Sequence, residues 1–383
     1  MSKTLEELRQ EIDQIDGQMT NLFKARMEVA SRIAEYKKEK GLPVLDAARE
    51  RALMGKVAEQ AGEELADYIQ AVYRTILTAC RSYENGRMGL GSVVYGEIRN
   101  ALEATPDLFP QRPTVACQGI EGAYSQIACD RLFHAPTIMY FQTFDHVFKA
   151  VESGMCQYGI LPIENSTAGS VKAVYDLMLS HNFSIVRSAR LKVSHNLLAK
   201  HGVKLEDIKE IYSHEQAINQ CADYLGGLKG VKVTVVENTA VASQRVAESE
   251  RRDVAALSSR FCAEHYGLNT LQENVQDQDN NYTRFICISK KLEIYPGADR
   301  TSLMMTLPHK PGTLYNVLAK FYALNINLQK LESRPLPGRE FEFMFYFDLE
   351  ASVYAPEMEK LFRDLEADSE QLRYLGTYNE VIC

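Results

Sequence analysis

The sequence predicts a multidomain protein of mixed class: an all-helical segment, an α/β segment, and a C-terminal segment ordered βαββαβ. Three observations predict it. Apolar residues recur at steps of mostly three and four through the first 36 residues. Short β-rich runs alternate with helical stretches from 113 to about 290. From 301 the alternation changes again. A chain of 383 residues exceeds one compact core, so two or three domains are expected.

The first helix is expected over residues 1–40. Leu5, Leu8, Ile12, Ile15, Met19, Leu22, Phe23, Val29, Ile33 and Tyr36 form its apolar stripe, and Gly41 and Pro43 end it. A second helix starts near Asp46 and a third covers roughly 64–84. Residues 1–86 therefore read as one helical domain, and 87–112 as a linker with a short helix inside. Over 113–291 the runs "TVACQG", "TIMYFQTF", "YGILPI", "VKVTVVE", "DVAALSS" and "RFICISK" are expected strands. With helices between them they predict largely parallel α/β structure. Over 300–383, "SLMMTLP", "INLQKLESRP", "EFMFYFDLEA" and "LRYLGTYN" are expected strands around two helices. That order is the ferredoxin-like split arrangement.

Composition is that of an ordinary globular protein, 45% hydrophobic and 25% charged. A formal net charge of −8 disfavours a partner that must be tracked along its phosphates, so no nucleic acid is expected. No run is long and apolar enough to span a bilayer. The charged N-terminus lacks a signal core, so a cytoplasmic location is expected. The eight cysteines form no C-x-x-C pair and no zinc spacing. There is no G-x-G-x-x-G, Walker or EF-hand loop. No cofactor or metal is implied.

Three cations, Arg9, Arg26 and Lys37, fall on the apolar stripe of the first helix. Long stems lying on a core with their heads in water would explain one such residue. Three together, with Asp46, Arg49 and Glu50 just past the helix end, point to a pocket for a small, multiply charged anion. Arg26 and Lys37 share a face roughly 16 Å apart along the axis, whereas Arg9 and Lys37 lie roughly 42 Å apart. Arg9 then comes from another chain, or the helix is bent or broken, or Arg9 is simply exposed.

The stretch "LRQEIDQID…ARMEVASRIAEYKKEKGLPVLDAARE" resembles the all-helical class of chorismate mutase. The resemblance implies that Arg9 of the partner chain, Arg26 and Lys37 clamp the substrate's carboxylates and ether oxygen. It places Arg49, Asp46 and Glu50 near the substrate ring. Cys80 and Glu84, four apart on one helical face, stand where this class usually has Ser and Gln. The Gln position donates to the ether oxygen, and Glu84 can do so only when protonated. The reading therefore expects mutase activity to rise toward mildly acidic pH.

The α/β segment holds polar clusters where strands hand over to helices: "EGAYSQ", "PIENSTAG", "YSHEQAINQC", "ENTAVAS" and "ALSS". Helix capping explains each alone. Together they suggest helix N-termini converging on one crevice, a natural anion site. With "NNYTRF" (280–285) the set resembles prephenate dehydratase over 113–290. That family has two α/β lobes, like a periplasmic binding protein, with its site in the cleft between them. The resemblance implies that residues 161–171 line that cleft. Thr283 is the expected acid for the departing hydroxide. Asn165, Ser166 and Gln220 are expected to hold or polarise prephenate, and Arg284 to pair with a carboxylate.

"HKPGTLYNVL" and "LESRP" resemble the ACT regulatory domain. Gly312, Thr313 and Leu314, with Glu332, Ser333 and Arg334, match its effector motifs, and L-phenylalanine is the implied effector. The whole resemblance implies a bifunctional enzyme acting on chorismate and prephenate, a dimer or tetramer with mutase sites shared between chains. Two further readings stay open from sequence alone: a dehydratase with an inactive helical dimerisation arm, and a non-catalytic metabolite sensor.

Overall fold

A computed structural model describes residues 3–89, 91–340 and 342–383. Met1, Ser2 and Leu90, which belong to the expected first helix and linker, fall outside them. The chain divides into two compact units. The first comprises 1–97, 307–325 and 354–372; the second comprises 98–306, 326–353 and 373–383.

The first unit opens with α1 (Leu5–Lys40), an unbroken 36-residue helix. Thr4 and Glu7 form a capping box at its start, and Gly41 closes it in the left-handed region. Helix α2 (Ala47–Ala61) starts at Asp46, whose side chain accepts from Arg49 N at 2.9 Å. Helix α3 (Ala66–Arg87) packs against both. Helix α4 (Val93–Ala104) is the expected linker helix.

The second unit contains two α/β lobes. The chain runs through β1 (Thr114–Gln118), α5 (Tyr124–Leu132), β2 (Thr137–Phe141), α6 (Phe144–Glu152), β3 (Tyr158–Asn165), β4 (Gly169–Ser170), α7 (Lys172–Met178) and β5 (Ser184–Lys192). It crosses to the second lobe for β6 (Asn196–Ala199), β7 (Glu210–Ser213), α8 (Glu215–Gln220), α9 (Ala222–Gly227), β8 (Lys232–Val235), α10 (Thr239–Glu248), β9 (Val254–Ser258), α11 (Arg260–His265) and β10 (Asn269–Gln272). It returns as β11 (Tyr282–Ser289). The two crossings are tied together: Val193 N donates to Asn281 O, and Val275 N to His195 O, both at 2.8 Å.

The sheets are mixed rather than largely parallel. In the first lobe β1 pairs parallel with β2 and β3, but β11 pairs antiparallel with β3 and β5. The returning strand β11 enters the sheet between β5 and β3. In the second lobe β7 is parallel to β8 and β9, and β6 antiparallel to β9 and β10.

The C-terminal segment follows the expected βαββαβ order: β12 (Arg300–Thr306), α12 (Thr313–Ala323), β13 (Asn327–Pro335), β14 (Phe343–Glu350), α13 (Met358–Asp368) and β15 (Gln371–Tyr378). Its four strands form a sheet ordered β13-β14-β12-β15. The chain then adds β16 (Glu380–Ile382) to the first lobe, parallel to β5, a strand that sequence reading did not include. Gly376 makes this approach possible. Its φ is +145°, and a Cβ there would lie 2.1 Å from the Ile185 carbonyl oxygen. Met304, Met344, Tyr346, Leu375 and Tyr378 share one buried core with Leu161, Ile163, Ile286 and Ile288. Among the described residues no helix is long and apolar enough to cross a membrane.

Candidate active sites

In the helical unit, the i, i+4 and i, i+11 spacings bring the expected residues to one seam between α1 and α3. Lys37 Nζ lies 2.9 Å from Glu84 Oε2 and donates to Val44 O at 2.6 Å. Arg26 Nη1 donates to Cys80 Sγ. Cys80 and Glu84 are the buried residues of α3. Burial raises the Cys80 thiol pKa, opposed by the neighbouring Arg26 guanidinium. A half-buried Arg26 and Lys37 thus meet a thiol and a carboxylate instead of snorkelling into water.

The other expected residues lie elsewhere. Arg9 is exposed, 3.7 Å from Glu6. Because α1 is unbroken, Arg9 lies roughly 42 Å from Lys37 along the axis. Asp46 and Arg49 are exposed at the start of α2. Glu50 is bound by Arg81 at 2.6 and 2.7 Å, a residue that sequence reading did not single out.

In the α/β segment a cavity of 380 Å³ is lined from both lobes. Residues Ala123–Ser125 at the start of α5, Asn238 and Thr239 at the start of α10, and His214, Gln216 and Ala217 around α8 border it, together with Asn165, Gln220, His195 and Thr283. The expected convergence of helix N-termini is therefore present. Asn238 caps α10, its Oδ1 accepting from Val241 N at 2.8 Å. Gly122 lets the chain turn into α5. Its φ is +91°, and a Cβ would stand 3.0 Å from Cys262 Sγ. Among the described residues no Lys or Arg lines this cavity.

The polar side chains form a closed head-to-tail ring. Gln220 Nε2 donates to Thr167 Oγ1 at 2.9 Å, and Thr167 Oγ1 donates to Asn165 Oδ1 at 2.7 Å. Asn165 Nδ2 donates to Asn281 Oδ1 at 2.7 Å, and Asn281 Nδ2 returns to Gln220 Oε1 at 2.9 Å. Each amide is oriented by the next. Two groups branch from the ring. Asn165 Nδ2 also donates to Thr283 Oγ1 at 2.9 Å, and His195 Nε2 lies 2.9 Å from Gln220 Oε1. Since Gln220 Oε1 accepts, His195 carries its proton on Nε2. Burial lowers the His195 pKa, opposed by the Gln220 hydrogen bond. Its Nδ1 is buried without a protein partner.

Ser166 is exposed in the loop after β3; its hydroxyl donates to Asn280 O at 2.6 Å and accepts from Tyr282 N at 2.9 Å. With Thr167 and Ala168 it borders a wider opening beside the cavity. Arg284 does not join Thr283. Successive strand residues face opposite ways, and Arg284 is buried on the other side of β11 against Asp348, with Glu164 at 3.6 Å. Burial opposes its charge, but the Asp348 carboxylate together with Tyr378 and Tyr346 outweighs this and raises its pKa.

Sequence reading singled out neither His195 nor Asn281, and included Thr167 only within the stretch 161–171. Thr167 and Asn281 lie inside quoted motifs. His195 carried no local signal, since it precedes an apolar strand and meets Gln220 only through the fold.

Of the effector-motif residues, Gly312 precedes α12, and the Thr313 hydroxyl donates to Pro308 O at 3.0 Å. Leu314 is half-buried in the first turn of α12. On β13, Glu332 accepts from Ser170 Oγ at 2.6 Å, and Arg334 forks onto Asp176 at 2.7 and 2.8 Å. Ser333 points outward and is exposed.

The family description "Chorismate mutase type II" matches residues 8–85, and "Prephenate dehydratase" matches residues 115–293. A bifunctional chorismate mutase/prephenate dehydratase of Aquifex aeolicus is 30% identical over 384 residues, covering 99% of this chain and 98% of that one. A chloroplastic arogenate dehydratase/prephenate dehydratase 2 of Arabidopsis thaliana is 40% identical over 332 residues, covering 79% and 86%. The crystal structure of a prephenate dehydratase from Arthrobacter aurescens in complex with L-Phe superposes with a TM-score of 0.64. It is 28% identical, over 70% of this chain and 89% of that one. The chain belongs to the bifunctional chorismate mutase/prephenate dehydratase family and carries both of its catalytic domains.

Proposed function

We propose that Thr283 is the proton donor of the dehydratase reaction and that Arg26, Lys37 and Glu84 form the mutase site with Arg9 of a second copy of the chain. The observation that carries the first assignment is the Asn165–Thr283 hydrogen bond inside the cavity. Asn165 donates into Thr283 Oγ1, so the hydroxyl's own hydrogen is free for the substrate.

In this reading Thr283 protonates the departing hydroxide of prephenate as the C–O bond breaks. The C–C bond to the ring carboxylate breaks in the same direction, releasing carbon dioxide, and its electrons complete the aromatic ring. The products are phenylpyruvate, water and carbon dioxide, and solvent restores the Thr283 proton. Backbone N–H groups at the start of α10 suit the retained carboxylate. The leaving carboxylate should be poorly stabilised, and a cavity with a neutral ring and no Lys or Arg lining suits that. Arg284 therefore has a protein carboxylate as partner in this reading, in place of the substrate's.

The mutase reaction is an internal rearrangement that needs a compact conformer and donors at the breaking C–O bond. Arg26 and Lys37 supply fixed positive charge, and Glu84 faces the same seam. A second copy covering the exposed apolar stripe of α1 would bring its Arg9 into reach. Leu5, Ile12, Ile15, Met19 and Leu22 are each more than half exposed, a stripe far larger than a monomer normally leaves in water.

L-phenylalanine is the effector in this reading, acting through the C-terminal ACT-like segment. The βαββαβ order, the matching motifs and the L-Phe complex of the A. aurescens relative support it. A second substrate, arogenate, is favoured by the 40% identity to the A. thaliana protein named for both. The test is product formation by purified protein given chorismate, prephenate or arogenate, with and without L-phenylalanine. Phenylpyruvate from the first two, suppressed by L-phenylalanine, is expected; turnover that ignores L-phenylalanine contradicts the effector assignment.

A further inference from the structure

Strands β3 and β11 pair so that Asn165 faces Thr283 and Glu164 faces Arg284. Asn165 and Thr283 turn into the cavity. Glu164 and Arg284, one residue away on each strand, turn the opposite way, toward β13 and β14. There Arg284 meets Asp348 in an ion pair whose two side chains are 8% and 4% exposed. Asp348 Oδ1 accepts from the Tyr346 hydroxyl at 2.6 Å and from Ser302 Oγ. Ser302 in turn bonds Tyr378 at 2.7 Å. Lys330 on β13 holds Glu164 at 2.9 Å and Ser170 at 2.7 Å. The regular ladder between β11 and β3 is interrupted between Arg284 and Phe285. On its other edge β11 keeps a regular register with β5 from Tyr282 to Cys287, and what grips Arg284 adds to that hold on Thr283.

The structure assigns Asp348 as a positioning residue for the dehydration: it clamps Arg284 from behind, and so fixes β11 where Thr283 stays bonded to Asn165 and aimed at the substrate. Asp348 lies in the C-terminal four-stranded sheet, outside the segment that matches the dehydratase family. It touches no cavity residue of the ring, so its effect reaches the reaction only through strand geometry. A displacement well below 1 Å suffices to misalign a proton donor.

This rests on Thr283 being the proton donor, so Thr283→Val is measured beside it. The experiment is steady-state kinetics of the full-length protein on prephenate and on chorismate. Asp348→Asn keeps the side chain's shape and removes its charge. Its kcat on prephenate is expected to fall about tenfold with KM within about twofold, while mutase turnover is unchanged. A folded Asp348→Asn variant with wild-type kcat overturns the proposal. So does a raised KM at unchanged kcat, which would mean that Arg284 binds substrate. If Asp348→Asn fails to fold, Tyr346→Phe loosens the same carboxylate without unpairing Arg284. A loss of about threefold in kcat alone is expected there, and an unchanged kcat overturns the proposal. Thr283→Val at full rate would instead sink the proton-donor assignment on which the proposal stands.

Discussion

Asn165 and Thr283, 118 positions apart, are joined by a hydrogen bond of 2.9 Å from Nδ2 to Oγ1. Asn165 is itself locked by five further partners: Asn281, the Tyr282 carbonyl, the Thr167 hydroxyl and the backbone N–H groups of Thr167 and Ala168. The Thr283 hydroxyl, the proposed proton donor, is thus fixed before substrate arrives, which is where preorganised sites gain most of their advantage. Asn165→Ala leaves Thr283 free to rotate and opens the ring. Its kcat on prephenate should fall by about 10²-fold or more, with a smaller change in KM. Thr283→Ser should keep most of the rate, because the hydroxyl and its acceptor role survive.

Lys37 and Glu84 should act as a pair in the helical unit alone. Lys37→Met is expected to cost about 10²-fold or more in chorismate turnover and to leave prephenate turnover intact. Glu84→Gln should retain mutase activity, since an amide can donate at that position. A Glu84→Gln variant that has lost chorismate turnover would contradict the donor role.

His195 gives a pH dependence whose sign is set by burial. Its folded pKa is depressed, while in the unfolded chain it titrates near 6.5. Below about pH 6.5 the unfolded state therefore binds a proton that the folded state refuses, and stability falls as pH drops. Above that value the term vanishes. Unfolding midpoints from pH 5 to 8 should show this loss on the acid side, and His195→Gln should flatten it. An identical acid-side slope in the variant would contradict the assignment.

Arg9 and Arg26 should complement each other across chains. Each alanine variant alone is expected to lose mutase activity. Mixed and reassembled, they should recover about a quarter of the wild-type sites, because only the mixed dimer rebuilds one intact site of its two. No recovery, from material that sediments as a mixed dimer, would place both arginines in the same chain's site.

Much of the fold was legible. The long stripe of α1, the capped start of α2 and the βαββαβ order all follow local periodicity, which a sequence displays directly. That Arg26 and Lys37 share one seam was legible because they are a whole number of turns apart on one helix. What was hidden is long-range. The antiparallel return of β11, and β16 joining β5, depend on which sheet edge is open when the chain comes back. Neither His195 nor Arg81 has a neighbour in sequence that betrays its partner. Arg284 misled through proximity: it stands next to Thr283 in the chain, and strand alternation sends it to the opposite face.

The most direct measurement follows chorismate through the Thr283→Val protein, with prephenate and phenylpyruvate quantified over time. The account predicts that prephenate accumulates at the wild-type mutase rate while phenylpyruvate formation slows by about 10²-fold or more. Phenylpyruvate appearing at the wild-type rate would contradict the account, as would the absence of any prephenate.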